Sequence, residues 1–166
     1  MTETATRSRL EDEYKHAMWR VASPVAVVTY DTPDGPGGVT CTAICSATTQ
    51  PPTLVVCINR ETAAREAMLK AGGFAVNFLT EEQSDIARQF SRTSDQDAQF
   101  SVGSWHRAAS GAPVLEDAAG SFDCLTDTHM DHGAHTIFLG QVQSVNSSGG
   151  SGLLYRDGFF RRLAAE

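Results

Sequence analysis

The β-prone segments of this chain follow one another without a regular helix between each pair. Pro24 to Tyr30 is rich in valine, Val39 to Thr49 is dense in Thr, Ile, Val and Cys, and Thr53 to Asn59 is apolar. Each reads as a strand. Asp31 to Gly37 carries two prolines and two glycines and makes the turn between the first two strands; Pro51-Pro52 closes the second. Phe74 to Leu79, Val114 to Thr128, Thr136 to Val145 and Leu153 to Phe160 are further strands, giving about seven in all. Parallel neighbours would need long crossovers, so the order argues for an antiparallel barrel rather than a doubly wound sheet.

Helices are few. Leu10, Tyr14, Ala17, Met18 and Val21 recur at helical spacing, which predicts an amphipathic helix over Ser8 to Ala22, preceded by a disordered tail at residues 1–7. Thr62 is a plausible N-cap for a helix ended by Gly72-Gly73. Thr80 with Gln83 fits a capping box that opens a helix carrying Ile86, Ala87 and Phe90. The polar stretch Ser91 to Gln99 is expected to be a mobile loop. No internal repeat or domain boundary is visible, so residues 1–166 are expected to form one domain.

Charge and composition narrow the function. With 13 basic and 20 acidic residues the formal charge is -7, and only Arg161-Arg162 form a basic pair. Such a surface repels nucleic acid and anionic membranes. No apolar run reaches the ~18 residues of a membrane span, and Met1 to Arg9 lacks the apolar stretch of a signal peptide. Cys41, Cys45, Cys57 and Cys124 form no C-x-x-C pair and sit in apolar or strand-like sequence. They are expected to be free thiols in a reducing compartment, which points to the cytoplasm.

No G-x-G-x-x-G follows a strand, and no phosphate loop ending in G-K-[ST] or G-x-S-x-G elbow is present. His129, His132 and His135 are spaced three apart, but on a turn and a strand they need not converge, and no metal is expected. The richest stretch is Gly37 to Asn59. Thr40, Thr42, Ser46, Thr48 and Thr49 supply hydroxyls, and the small side chains let the backbone approach a flat ring. Taken alone, the same pattern better describes a barrel strand with small inward positions. Thr62 and Arg65, on the first turn of a helix, form a potential anion site or simply a cap and a surface charge.

The order of these pieces resembles one family over nearly the whole chain: the flavin reductases of two-component flavin-dependent monooxygenases. The resemblance runs through P-V-A-V-V-T, G-V-T-C-T-A-I-C-S-A-T-T-Q-P-P, L-V-V-C-I-N, G-F-A-V-N-F-L, I-A-R-Q-F, G-A-P-V-L, G-A-H-T-I-F-L-G-Q-V and G-L-L-Y-R-D-G-F-F. It implies a mainly β, antiparallel, Greek-key split β-barrel that binds FMN or FAD, with two or three peripheral helices, assembled as a homodimer. Carried over by position, it implies flavin contacts at Thr40, Thr42, Ala43, Ser46, Ala47 and Thr48, with Cys57, Ile58 and Asn59 bordering the ring. Thr62 and Arg65 would lie near the phosphate and Phe90 would wall the site. His135 matches the histidine of the family's Gly-Asp-His motif, with Ala134 in place of the usual Asp.

The activity so implied is hydride transfer from nicotinamide C4 of NADH or NADPH to flavin N5, with reduced flavin passed to a separate monooxygenase. Other readings are a flavin-binding or electron-carrier protein without a nicotinamide site, a pyridoxine phosphate oxidase, which would need a more basic pocket, and a purely structural barrel.

Overall fold

The computed structural model describes residues 3–92 and 95–164. Among them are four helices, α1 (Glu3–Trp19), α2 (Ala63–Ala71), α3 (Ser84–Arg92) and α4 (Gln96–Gln99). The strands are β1 (Ser23–Pro24), β2 (Ala26–Thr32), β3 (Gly35–Cys41), β4 (Ile44–Thr49), β5 (Pro52–Asn59), β6 (Gly73–Phe78), β7 (Trp105–Arg107), β8 (Pro113–Leu115), β9 (Gly120–His132), β10 (His135–Asn146), β11 (Leu154–Arg156) and β12 (Phe159–Arg161).

Seven strands form the main sheet in the order β3-β2-β6-β9-β10-β5-β4, with every neighbouring pair antiparallel. The expectation of a mainly β antiparallel fold therefore holds. No ladder among the described residues joins β3 to β4, so the hydrogen-bonded sheet is open. Yet these two edges are consecutive in the chain and only Thr42 and Ala43 separate them. The three Cα steps from Cys41 to Ile44 span about 11 Å at most, so the sheet must curl until its edges come close. The Cys57 amide donates to the Ala43 carbonyl at 3.0 Å, extending the β4–β5 ladder into the break.

Several expected boundaries shift. Val39 to Thr49 is two strands, broken at Thr42-Ala43. Leu153 to Phe160 is a hairpin, β11–β12, turned by Asp157 and Gly158, both at positive φ. Val114 to Thr128 is divided between β8 and β9. α1 begins at Glu3, ahead of the expected Ser8, and its apolar residues are not buried: Leu10, Tyr14, Met18 and Trp19 are all exposed. Ser91 to Gln99 is not simply a loop. α3 runs to Arg92, α4 follows, and Gln99 is buried with its side-chain amide bonded to both the N–H and the C=O of Gly38.

Two apolar layers explain the packing. The inner one joins Val28, Val56, Ile58, Phe74, Val76 and Phe138 to Ala64 and Met68 of α2, so α2 packs against the curled sheet's interior. The outer one gathers Val25, Val27, Leu79, Leu115 and Leu153 with Ile86, Ala87 and Phe90 of α3. β2 is buried on both faces, and so it reads as a continuous apolar run. Asn77 pins four strands together. Its amide nitrogen donates to the Val27 carbonyl and the Thr29 hydroxyl, while its oxygen accepts from the Leu115 N–H and the Ser121 hydroxyl.

Candidate functional site

The break at Thr42-Ala43 opens a recess of about 240 Å³. β3 contributes Val39, Thr40 and Cys41 to its lining, the break Thr42 and Ala43, and the end of β5 Cys57, Ile58 and Asn59. Thr62, at the N-cap of α2, and His135, at the start of β10, complete it. Eight residues singled out in the sequence therefore converge here: Thr40, Thr42, Ala43, Cys57, Ile58, Asn59, Thr62 and His135. They come together because β10 pairs with β5, setting His135 directly opposite Asn59.

Local hydrogen bonds hold this rim. The Asn59 side-chain oxygen accepts from the Glu61 N–H at 2.9 Å. The Thr62 hydroxyl donates to the Asn59 carbonyl at 2.7 Å and does not cap α2, although Thr62 occupies the N-cap position. The Thr40 hydroxyl is committed to the Ala87 carbonyl at 2.6 Å, which fastens β3 to α3. Burial pushes the Cys41 thiol up to about 11 and raises that of Cys57, so both are neutral at ordinary pH.

Other sequence candidates fall elsewhere. Ser46, Ala47 and Thr48 are exposed on the edge strand β4 and line neither this recess nor its neighbour. Phe90 walls a second, larger cavity that adjoins the recess. Arg65 points away, into a polar knot behind His135. Its guanidinium donates to the Thr136 hydroxyl at 3.1 Å and to Asp131 at 3.2 Å, and pairs with Glu66. Thr136 in turn donates to Asp131 at 2.6 Å, and Arg60 reaches Asp131 at 3.5 Å. The Thr136 hydroxyl, assisted by the two arginines, holds the Asp131 carboxyl below its ordinary value. The three histidines do not gather. His132 pairs with His135 across the β9–β10 ladder and His129 with Phe138. No metal-binding cluster occurs among the described residues.

The larger cavity, of about 570 Å³, shares Val39 and Thr62 with the recess. It is bounded by Tyr30, Gly37 and Gly38, by the face of α2 from Ala63 to Lys70, and by Phe90, Arg92 and Gln99. The adjacent pair Gly37-Gly38 was the visible signal for it. A Cβ on Gly38 would lie 2.8 Å from the Phe90 ring, and one on Gly37 2.6 Å from the Tyr30 ring. Gln99 gave no signal, because nothing in a polar stretch marks the one amide that turns inward.

The antiparallel fold that carries this recess is shared with known proteins. The chain belongs to the flavin reductase family, matching the flavin reductase like domain over residues 18–164. It is 40% identical over 151 residues to the NADH-dependent FMN reductase RutF 1 of Methylorubrum extorquens strain PA1, covering 90% of this chain and 75% of that one. Among solved structures, a flavin reductase from Haemophilus somnus 129PT superposes with a TM-score of 0.88 at 35% identity, covering 92% of this chain and 98% of that one. The NADH:FAD oxidoreductase SgcE6 of Streptomyces globisporus superposes with a TM-score of 0.87 at 27% identity, covering 93% and 94%. BorF, the flavin reductase component of a bacterial two-component tryptophan halogenase, gives 0.84 at 28%, covering 94% and 99%.

Proposed function

We propose that this protein is an NADH-dependent flavin reductase that delivers reduced FMN or FAD to a separate flavin-dependent monooxygenase. The observation that carries this reading is the chemistry of the recess. Its lining contains no Asp, Glu, Lys or Arg, and its thiols are neutral. Such a wall suits hydride transfer, which requires two flat rings held face to face rather than a strong acid–base pair. A flavin fits the residues present: Thr42 and Ala43 lie outside both strands and carry small side chains, so a planar ring can approach their backbone.

A bound flavin supplies the hydride acceptor. The chain's own residues do the rest. Thr42, Ala43, Cys57 and Ile58 form the wall that excludes water and fixes the ring plane. Asn59 and Thr62, held by the β5–α2 turn, orient its polar edge. His135 meets the nicotinamide carboxamide at the rim. Ser46, Ala47 and Thr48, exposed on β4 outside the recess, are the residues that a flavin tail reaching beyond it would meet. Arg65 acts on the site by anchoring the hairpin that carries His135.

The same reading takes the curled sheet as a split β-barrel and the assembly as a homodimer. The exposed apolar side chains of α1, together with Met130 and Val145, are the support for a second copy, since monomers rarely leave so many large apolar groups uncovered. No described helix is long and apolar enough to cross a membrane, and we place the protein in the cytoplasm. The test is NADH oxidation followed at 340 nm with FMN and then FAD, with light scattering for the dimer. No flavin-dependent oxidation of NADH would overturn the assignment.

A further inference from the structure

Two of the four cysteines share one face of the sheet. In the β4–β5 ladder Cys45 stands opposite Val55, and the Cys57 amide bonds to the Ala43 carbonyl, so Cys45 and Cys57 are diagonal neighbours. Residues two apart on a strand share a face, and on β5 Val55 and Cys57 alternate with the buried Leu54, Val56 and Ile58. Both thiols therefore lie on the face turned away from the inner layer. Burial raises the Cys57 thiol, and Cys45 is near enough to raise it further. The other cysteines are placed differently. Cys41 belongs to the inner layer, where its thiol donates to the Cys57 carbonyl at 3.6 Å, and Cys124 is buried beside Gly140.

Diagonal partners lie about 7–8 Å apart at Cα, and a disulfide needs about 7 Å or less. Bridging thus asks β4 to move by about 1 Å. The strand is placed to do so. It is an edge of the sheet and pairs with β5, with the Thr42-Ala43 break before it and a register shift between Ser46 and Thr48 within it.

We propose that Cys45 and Cys57 form a reversible disulfide that closes the recess when peroxide accumulates. Reduced flavin that no oxygenase collects passes its electrons to O2 and yields hydrogen peroxide, so the oxidant arises at the recess itself; this part rests on the flavin reductase reading. The exposed Cys45, as thiolate, attacks one peroxide oxygen. The O–O bond breaks, hydroxide leaves and is protonated to water, and Cys45 becomes a sulfenic acid. The Cys57 sulfur then attacks the Cys45 sulfur. The S–S bond forms, the S–O bond breaks, and the Cys57 proton leaves with the hydroxide as a second water. The two thiols lose two electrons and peroxide gains them. The bridge pulls Cys57, part of the recess wall, toward β4 and draws Ala43 with it, which deforms the surface that meets the flavin. A bond made under such strain is readily reduced by dithiols, so the closure reverses.

The test treats the full chain with hydrogen peroxide in the absence of flavin. The product is read by mass spectrometry without reductant, after chymotryptic cleavage at Leu54, which lies between the two cysteines. The expected product lacks two hydrogens and joins the Cys45 and Cys57 peptides, with fragment ions separating Cys45 from Cys41. Flavin binding and NADH oxidation are both lost, and both return with dithiothreitol. Cys45→Ser is expected to keep its starting activity and to resist peroxide. Saturating FMN slows bridging of the wild type. Absence of a bridge, a bridge through Cys41, equal inactivation of Cys45→Ser, or a bridge that leaves flavin binding intact overturns the proposal. A bridge that abolishes flavin binding in a chain that never oxidises NADH overturns the proposed function and leaves the thiol pair standing.

Discussion

His135 stands directly opposite Asn59 in the β5–β10 ladder, and the neighbouring Ala134 carbonyl accepts from the Arg60 N–H at 2.9 Å. The rim histidine is thereby tied to the turn that begins α2. His135→Ala removes the ring without disturbing that backbone. It is expected to lower kcat/KM for NADH about tenfold or more, the size of one lost oriented polar contact. Flavin affinity should stay near wild type. Steady-state kinetics together with a flavin titration check this, and unchanged kinetics would remove His135 from the site.

The Asp131 carboxyl links the β9–β10 hairpin to Arg60 and Arg65. Its folded-state value lies below the ordinary 3.8, first because Thr136 donates to it. A group depressed in this way stabilises the fold above its unfolded value and ceases to do so as the pH falls through the folded value. Asp131→Asn should therefore melt below wild type near neutral pH, with the gap closing as the pH drops beneath 3.8. Thermal melts across that range test the sign, and a gap that widened in acid would refute it.

Gly140 sits where β10 crosses the inner layer. A Cβ there would collide with the Phe74 ring and lie 2.9 Å from the Cys124 Cβ. Both neighbours are fully buried. Gly140→Ala is expected to cost about 1–3 kcal/mol through overpacking, read as a lower urea midpoint with an unchanged m-value.

Thiol reactivity should follow burial. Cys45 is exposed, whereas burial pushes Cys41 to about 11 and Cys124 to about 12. A thiol reagent near neutral pH should modify Cys45 first and reach Cys41 and Cys124 only on unfolding. Cys57 borders the recess, so saturating FMN should slow its modification. Equal labelling with and without FMN would argue against flavin at that wall.

The antiparallel, β-rich character was legible because strand residues come in short apolar runs divided by Gly and Pro, a pattern local to each segment. Part of the recess was legible for a similar reason: Thr40 to Ala43 and Cys57 to Asn59 stand at the two ends of one small-residue stretch, although its middle, Ser46 to Thr48, falls outside. The single strand expected over Val39 to Thr49 failed because propensity records what a residue favours, not where the chain must change edges. Thr42-Ala43 breaks there so that β3 and β4 can lie at opposite ends of one sheet. The amphipathic pattern of α1 correctly foretold a helix but not its packing, since Leu10, Tyr14, Met18 and Trp19 stay largely exposed.

Local content is thus written in the order of residues: which segments extend, which turn, and that a small-residue stretch, a helix cap and a histidine follow in order. Their company comes from the fold. The β5–β10 register brought His135 to Asn59, the Asp131 knot drew Arg65 away from the recess, and the packing of α2 beside β3 made a cavity of Tyr30, Lys70 and Arg92. Those pairings join residues tens of positions apart, so they depend on closing long loops around a shared core, and no local pattern carries that information.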